Sequence, residues 1–368
     1  MKLLIDAHYY DGREVEGVNT YIKGIYTQLT AMAPDIDFYF ASNRGQHLEE
    51  IFGTAPNIHY LTLHSNTRAG RLLREFPALI KQHGFDAAHF QYMAPPVQKC
   101  RTILTVHDLL FLDFPQFFPL TYRWSRTALF RKVARQADVL AAVSDYSRSS
   151  IARHFSLNPD NIIVTHNAVD EDFFDIDRAK AREEIYAKGI RPFIMNVSRI
   201  EPRKKQLAVV RAFHELNLAE RGYDLVLVNR HDINVPELEK YIASLPEKER
   251  KRIHRIEGMP HHELKTWYAA ASLFIYPSLA EGFGIPPLEA AATGTPTICH
   301  NATAMADFTF FGDNLADLSD QATLNRLVEK NLTTPPSEEE LKRIADSIRA
   351  SYSWRSSAER LLKELRTH

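Results

Sequence analysis

Short apolar runs separated by helix-length amphipathic stretches recur along the whole chain, and this alternation narrows the accessible folds more than any other feature. A run of four to seven apolar residues is too short to be a helix, and where an amphipathic segment follows each run the pattern is that of βαβ units in a parallel sheet. The spacing predicts strands at 1–7, 36–41, 58–63, 87–90, 102–106, 139–143 and 161–164. Helices are expected at 21–32, 68–83, 122–136 and 145–154, and in the first of them Tyr21, Ile22, Ile25, Leu29 and Met32 fall near one face. A second series follows the charged stretch 170–188, with strands at 193–197, 223–228, 254–257, 272–276 and 295–300. Its helices are expected at 207–219, 236–244, 262–270 and 287–292, and a last helix at 356–366 closes the chain. No repeat of 20–50 residues is present. The expectation is an α/β chain of two tandem doubly wound domains, in which ligands bind at the carboxyl ends of strands and two facing domains create an interdomain cleft.

Composition removes several classes of function. The 45 basic residues balance 46 acidic ones, a net charge of −1, so no overall positive field would gather nucleic acid. The two cysteines, Cys100 and Cys299, make neither a disulfide framework nor a zinc spacing. MKLLIDAHYYDGREVEG meets acidic residues at once and lacks the apolar stretch of a signal peptide, and no run reaches the 18 or so apolar residues of a bilayer span. A soluble, cytoplasmic protein is expected.

The chemistry concentrates in two stretches of the second series. In the first, 258–296, the strand SLFIYP runs into a turn containing Gly282 and Gly284. Pro286 and Pro287 stand where a helix starts, and Gly294 where it ends. A glycine-containing loop at a helix N-terminus can present backbone N–H groups to an anion. Glu281 in the loop and Glu289 in the first helical turn are eight residues apart, placed to accept hydrogen bonds from ligand hydroxyls. From spacing alone, a helix-dipole role for Glu289 competes with that reading. The second stretch, SRIEPRKKQ (198–206), crowds Arg199, Arg203, Lys204 and Lys205 at the carboxyl end of the strand FIMNV. Such a group would neutralise the charge that grows on a departing diphosphate; a solvated basic loop is the alternative.

EGFGIPPLEAAATGTP resembles the E-x7-E signature of the large retaining glycosyltransferase family 4, of the GT-B fold, and SRIEPRKKQ resembles that family's phosphate loop. GVNTY at 17–21, TVHDLLFLDFP at 105–115, AVSDYSRSSI, THNAVD and the terminal YSWRSSAERLL are also similar to family motifs and stand in the family's order. The resemblance implies two Rossmann-like domains, 1–172 for the acceptor and 173–350 for the nucleotide sugar, with 351–368 crossing back to the first. It implies that Arg199 and Lys204 bind the diphosphate, with Ser198 beside them, and that Glu289 holds the donor ribose. Glu281, with the backbone of Phe283, Gly284 and Ile285, would hold the transferred sugar. Gly17 would let the first loop approach the donor phosphate, and His107 would bond a sugar hydroxyl near the anomeric centre with Asp108 beside it.

Retaining transfer of a hexose, mannose-type or glucose-type, from a UDP- or GDP-linked donor is therefore expected, without cofactor or metal. The acceptor would be a saccharide or a lipid-linked glycan, as in cell-surface polysaccharide or glycoconjugate synthesis. Rivals are a sugar-nucleotide epimerase of the same fold and a non-catalytic sugar-nucleotide-binding protein. A nicotinamide-dependent oxidoreductase is disfavoured because no strand leads into G-x-G-x-x-G. The chain departs from the family pattern at Glu16, Ser198, Ala168 and Asn229, where glycine is usual, the last followed by the bulky Arg230 and His231; TAMAD, with Asp307, replaces a serine-rich segment ending in Glu. The triplets Asp35/Asp37 and Asp175/Asp177 read as solvated acids, and His261–His262 as a helix entrance. Between residues 68 and 148 twelve cations face six acids, and RAGRLLREFPALIKQ and YRWSRTALFRKVARQ mix them with Leu, Phe and Trp. Peripheral contact with an anionic membrane, at the inner face of the plasma membrane, competes there with solvated helices packed on the sheet.

Overall fold

The computed structural model describes residues 1–10, 17–43, 45–97, 99–230 and 235–367; Glu16 and His231 lie outside the described residues. The chain divides into two compact units. The first is Met1–Ala168 together with Ser353–His368, and the second is Val169–Tyr352.

The first unit is built on seven strands, β1 (Lys2–Asp6), β2 (Asp37–Ser42), β3 (Ile58–Thr62), β4 (Ala87–Gln91), β5 (Arg101–Val106), β6 (Val139–Ala142) and β7 (Ile162–Val164). They pair in parallel in the order β3-β2-β1-β4-β5-β6-β7. Parallel strands covered on both faces need apolar residues at consecutive positions. Accordingly Leu3, Leu4 and Ile5 of β1 are all fully buried, as is every residue of β4. The strand order reverses between β1 and β4, the place where doubly wound sheets open a crevice at their carboxyl ends. The helix Gly17–Met32 buries Tyr21, Ile22, Ile25 and Leu29.

The last helix, Trp354–Arg366, completes this unit rather than the second one. Ser357 donates to the carbonyl of His166 at 2.8 Å and Arg360 to that of Val164 at 2.9 Å. The Trp354 indole lies against Gly24, where any Cβ would overlap the ring.

The second unit holds β8 (Phe193–Arg199), β9 (Asp224–Arg230), β10 (Ile253–Glu257), β11 (Leu273–Tyr276), β12 (Thr297–His300) and β13 (Leu315–Ala316), parallel, in the order β10-β9-β8-β11-β12-β13. Its switch point lies between β8 and β11.

Several elements differ from the sequence reading. The charged stretch 170–188 contains a helix, Arg178–Ala187, that buries Ala181 and Ile185. Asp177 caps it, accepting from the Lys180 N–H at 3.0 Å, while Asp175 accepts from Arg349 at 2.8 Å. Asp35 pairs with Arg366 at 2.8 Å. These three acids are thus a cap and two ion-pair partners, not merely solvated charges. The single helix expected over 68–83 is instead a short α-turn, a π-helical stretch at Arg71–Glu75 and an α-helix at Phe76–His83. Pro77 has no N–H to continue the regular ladder, and a wider turn spans the gap. Helices Gln321–Thr333 and Glu338–Ser351 were not anticipated. Both carry start signals: Asp320 and Ser337 cap them, and three glutamates open the second.

Candidate active site

The carboxyl ends of β8 and β11 meet at the switch point of the second sheet, and the strands deliver the two sequence-selected stretches to the same place. Asn196 of β8 reaches across to β11, donating to the Ile275 carbonyl at 2.8 Å. Beyond β8 the chain makes one 3-10 turn, Pro202–Lys204, and the Arg203 carbonyl accepts from the Leu279 N–H at 2.9 Å, which ties the two loops together.

Glu281 is the centre of this cluster. Its Oε1 accepts from Lys204 Nζ at 2.5 Å, from Ser278 Oγ at 2.5 Å and from the Tyr276 hydroxyl at 2.9 Å. Its Oε2 lies 3.3 Å from Arg203 Nη1. Arg203 also pairs with Glu201 at 2.7 Å, and Glu201 in turn with Arg199 at 3.2 Å. Burial works to raise the Glu281 carboxyl, but Lys204 and Arg203 more than offset it and hold the group at about 2. Burial also pulls the Lys204 ammonium down, opposed by the carboxylate beside it. Tyr276 is pushed well up by burial and by Glu281, so its hydroxyl stays protonated and donates. Lys204 and Glu281 are both buried, whereas the Arg199 side chain is 46% exposed. Two buried cations, Arg203 and Lys204, thus hold the buried carboxylate, while Arg199 stands at the solvent edge, a set suited to receiving an anion.

Glu289 occupies a separate place. The helix Ile285–Ala292 starts two residues earlier than the proline pair suggested, so Glu289 stands in its second turn, away from the first-turn dipole position. His261 Nε2 lies 3.0 Å from its Oε1 and the Tyr268 hydroxyl donates to its Oε2 at 3.2 Å. Tyr268 is raised well above its ordinary value by burial and by Glu289, which keeps it a donor. The His261 ring also rests against Phe173. Helix His261–Ala270 does begin at His261, but the histidine is more than an entrance residue, because it fixes the carboxylate.

The turn between the glutamates needs glycine at one position. Gly284 has φ 105°, and a Cβ there would meet Met305 at 2.8 Å. Phe283 packs on Phe308 and Tyr352, so only its backbone is placed to serve a ligand, and Ile285 opens the helix. Two non-glycine residues with left-handed backbone flank the cluster, Lys205 at φ 55° and Thr303 at φ 57°. Thr303 accepts the Glu281 N–H at 2.9 Å. Strain in a β-branched residue held next to a buried carboxylate is typical of functional sites. Ser198 commits its hydroxyl hydrogen to Asn196 at 3.1 Å and accepts from Gln206 at 2.8 Å, so it serves as a brace.

In the first unit His107 follows β5 and is 6% exposed. Its Nε2 lies 2.8 Å from Gln91 Oε1, at the carboxyl end of β4. Gln91 continues to His89 at 3.3 Å, and His89 to Thr105 at 2.8 Å and to the Tyr26 hydroxyl at 2.6 Å. Burial pulls both histidines down to about 3, so both are neutral near pH 7. Asp108 accepts from the Leu110 N–H and from Tyr92, each at 3.1 Å, so both carboxylate oxygens have protein donors. Gly17 begins the first helix, and among the described residues nothing lies within 4 Å of where its Cβ would stand. At the first switch point Asp6 Oδ1 lies 2.6 Å from His8 Nδ1, a pair that sequence reasoning missed.

Arg199, Lys204 and Glu281 are thus brought together, and Glu289 is held separately with His261 and Tyr268; His107 belongs to the first unit. Among the described residues no group of three or more His, Cys, Asp or Glu side chains could hold a metal ion, and no helix is long and apolar enough to cross a membrane.

Family models match both units: Glycosyltransferase Family 4 over residues 15–173 and Glycosyl transferases group 1 over 177–347. The chain is 29% identical over 272 residues to the serotype-specific mannosyltransferase WbdA of Escherichia coli, a match taking in 70% of this chain and 32% of that protein. It is 31% identical over 245 residues to an MMP alpha-(1->4)-mannosyltransferase of Mycolicibacterium hassiacum, covering 65% of this chain and 57% of the relative. The match therefore takes in about a third to three-fifths of the length of the mannosyltransferase relatives. Among solved structures, Anabaena HepE in complex with UDP-glucose superposes with a TM-score of 0.77 over the whole of both chains at 16% identity, which is likeness of fold alone. With the order of motifs, the two parallel sheets and both family models in agreement, the chain belongs to glycosyltransferase family 4, the group 1 glycosyl transferases, and has the GT-B fold of two Rossmann-like domains.

Proposed function

We propose that the chain transfers a hexose from a nucleoside-diphosphate sugar to a saccharide or lipid-linked acceptor with retention at the anomeric carbon, in the synthesis of a cell-surface polysaccharide or glycoconjugate. The observation that carries this reading is the convergence of Arg203 and Lys204 on Glu281 at the β8/β11 switch point, with Arg199 joined to the cluster through Glu201. In the proposed step the bond from C1 to the diphosphate oxygen breaks and its electrons go to the phosphate, where Arg199 and Lys204 neutralise the charge. The acceptor oxygen bonds to C1 from the same face, and its proton passes to the departing phosphate oxygen. Glu281 and the backbone around Gly284 hold the transferred sugar, Glu289 the ribose, and His107 a sugar hydroxyl. No protein-bound metal takes part. Mannose is favoured by the names of the relatives, and a UDP-linked donor by the Anabaena complex.

The membrane reading gains from the exposure of the helix Leu120–Gln136. It carries Arg123, Arg126, Arg131, Lys132 and Arg135 and no acid, and it leaves Trp124 80% and Leu120 65% exposed. Cations around an exposed tryptophan suit an anionic lipid surface at the cytoplasmic face.

The test is incubation with GDP-mannose and with UDP-glucose, with and without EDTA, following nucleoside diphosphate release and the product's anomeric configuration by NMR. Retention and activity undiminished by EDTA are expected. Inversion, or a strict divalent-metal requirement, would overturn the mechanism. An epimerised sugar nucleotide formed without acceptor would replace transfer by the epimerase reading.

A further inference from the structure

Among the described residues, Asn229 is the buried side chain whose hydrogen-bonding atoms both lack a partner, Nδ2 and Oδ1 alike, although the residue is only 4% exposed. A buried amide left unpaired is costly, and native chains seldom keep one without a use. Its position says what the use is. Asn229 is the penultimate residue of β9, in register with Ser198 of β8 on one side and Glu257 of β10 on the other. Laterally paired residues of a parallel sheet share a face, so the three form a row at the carboxyl edge, one residue short of Arg199.

The amides nearby do not share the predicament. Asn196 donates to the Ile275 carbonyl, and Gln206 donates to Ser198 at 2.8 Å and to the Arg199 carbonyl at 2.6 Å. The Ser198 hydroxyl, the neighbour best placed to relieve Asn229, is turned to Asn196. Polar groups are therefore within the same row, yet the fold pairs all of them except this amide.

We propose that Asn229 is a nucleoside-recognising residue of the donor site, its Nδ2 donating to and its Oδ1 accepting from the nucleoside portion of the sugar nucleotide. The inference rests on the reading that the second unit binds such a donor. A phosphate oxygen only accepts, and would leave Oδ1 unpaired. A group with a donor beside an acceptor satisfies both atoms, and a nucleoside offers two: the ribose hydroxyls, and the N–H beside C=O on the edge of uracil or guanine. At this place the family pattern has glycine, which has no side chain to make either contact.

The experiment is calorimetric titration of UDP, GDP and inorganic pyrophosphate into wild type, Asn229→Ala and Asn229→Gly, with thermal unfolding of each unliganded protein. The tighter of UDP and GDP should bind both variants about ten-fold or more weakly, the loss of a hydrogen bond to a partner left unpaired. Pyrophosphate should bind all three alike. Unliganded Asn229→Ala should unfold no earlier than wild type, since no protein hydrogen bond is removed. Repeating the titration with the 2′-deoxy- and the 3′-deoxynucleotide separates the two contacts: the difference between wild type and variant shrinks with at least one of them if the ribose is read, and persists with both if the base is. Equal nucleoside diphosphate affinity in wild type and variants overturns the inference while leaving the donor-site reading standing. Equal weakening of pyrophosphate overturns the nucleoside assignment. A wild type that binds neither diphosphate removes the donor-site reading and this inference with it.

Discussion

Lys204 Nζ and Glu281 Oε1, 2.5 Å apart, are each other's nearest counter-charge, and both are buried. The two residues that the family resemblance gives to different parts of the donor are therefore coupled before any donor arrives. A diphosphate reaching Lys204 must share it with Glu281, whose remaining donors, Ser278, Tyr276 and Arg203, keep the carboxylate satisfied. Lys204→Ala should lower kcat by about 10²–10³ if the ammonium stabilises the departing phosphate as an oxyanion donor does. Steady-state kinetics on a folded variant provide the check, and near-normal turnover would remove Lys204 from the mechanism.

Glu281 and Glu289 should separate in binding. Glu289→Gln should weaken free nucleoside diphosphate and intact donor alike, because the ribose is common to both. Glu281→Gln should spare the nucleoside diphosphate and impair turnover. Either lost contact is worth about 1–3 kcal/mol if a ligand group is left unpaired. Calorimetry on the two variants, with their rates, decides it, and the opposite pattern would reverse the assignment.

Acid should destabilise the first unit well above the range where carboxylates titrate. His89 and His107 bind a proton only near pH 3 when folded, against an ordinary 6.5. The unfolded chain takes up those protons first, so stability is whole above pH 6.5 and declines between 6.5 and 3. Each histidine contributes a slope of up to about 1.4 kcal/mol per pH unit. Urea midpoints measured from neutral pH downward should fall, and less steeply in His89→Gln. A midpoint flat down to about pH 4.5 would contradict the burial of both rings.

Gly24→Ala should destabilise the protein although alanine is the better helix former by about 1 kcal/mol. The added methyl has to displace the Trp354 indole. Trp354→Ala should cost about 3–5 kcal/mol, as core tryptophans do, and should relieve the clash in the double variant. Thermal unfolding of the four proteins measures the coupling, and additive losses would mean that the ring does not hold the helix there.

Co-sedimentation with anionic vesicles at low salt should be strong, should fade as salt rises and should weaken in Trp124→Ala. Equal binding to neutral and anionic vesicles would leave the helix Leu120–Gln136 as an ordinary solvated face.

What the sequence disclosed and withheld follows from the reach of each signal. The period of apolar residues and the order of Glu281, Glu289, Arg199 and Lys204 are local, and the fold and the main cluster were legible from them. Arg203 was visible only as one of four crowded cations, its contact with Glu281 being made across two loops, and nothing in the spacing of Ser278 and Tyr276 singles them out as donors to that carboxylate. His261 was read only as a helix start because its partner, Glu289, is 28 residues away. The Gln91–His89–Tyr26 chain behind His107 is likewise a product of strand order, with β4 lying beside β1 and β5. Helix Glu338–Ser351, by contrast, carried a complete local signature in Ser337 and its three glutamates.

The return of Trp354–Arg366 to the first unit also sets a timetable. On a translating ribosome the second unit emerges as one continuous stretch, whereas the first must wait for Val169–Tyr352 to be made before its final helix exists. At about 5–20 residues per second that interval is roughly ten to forty seconds. Throughout it the notch at Gly24, and the carbonyls of Val164 and His166, face solvent or a chaperone. The half of the molecule synthesised first is therefore the half that matures last, and nascent chains halted before Trp354 should be the protease-sensitive species.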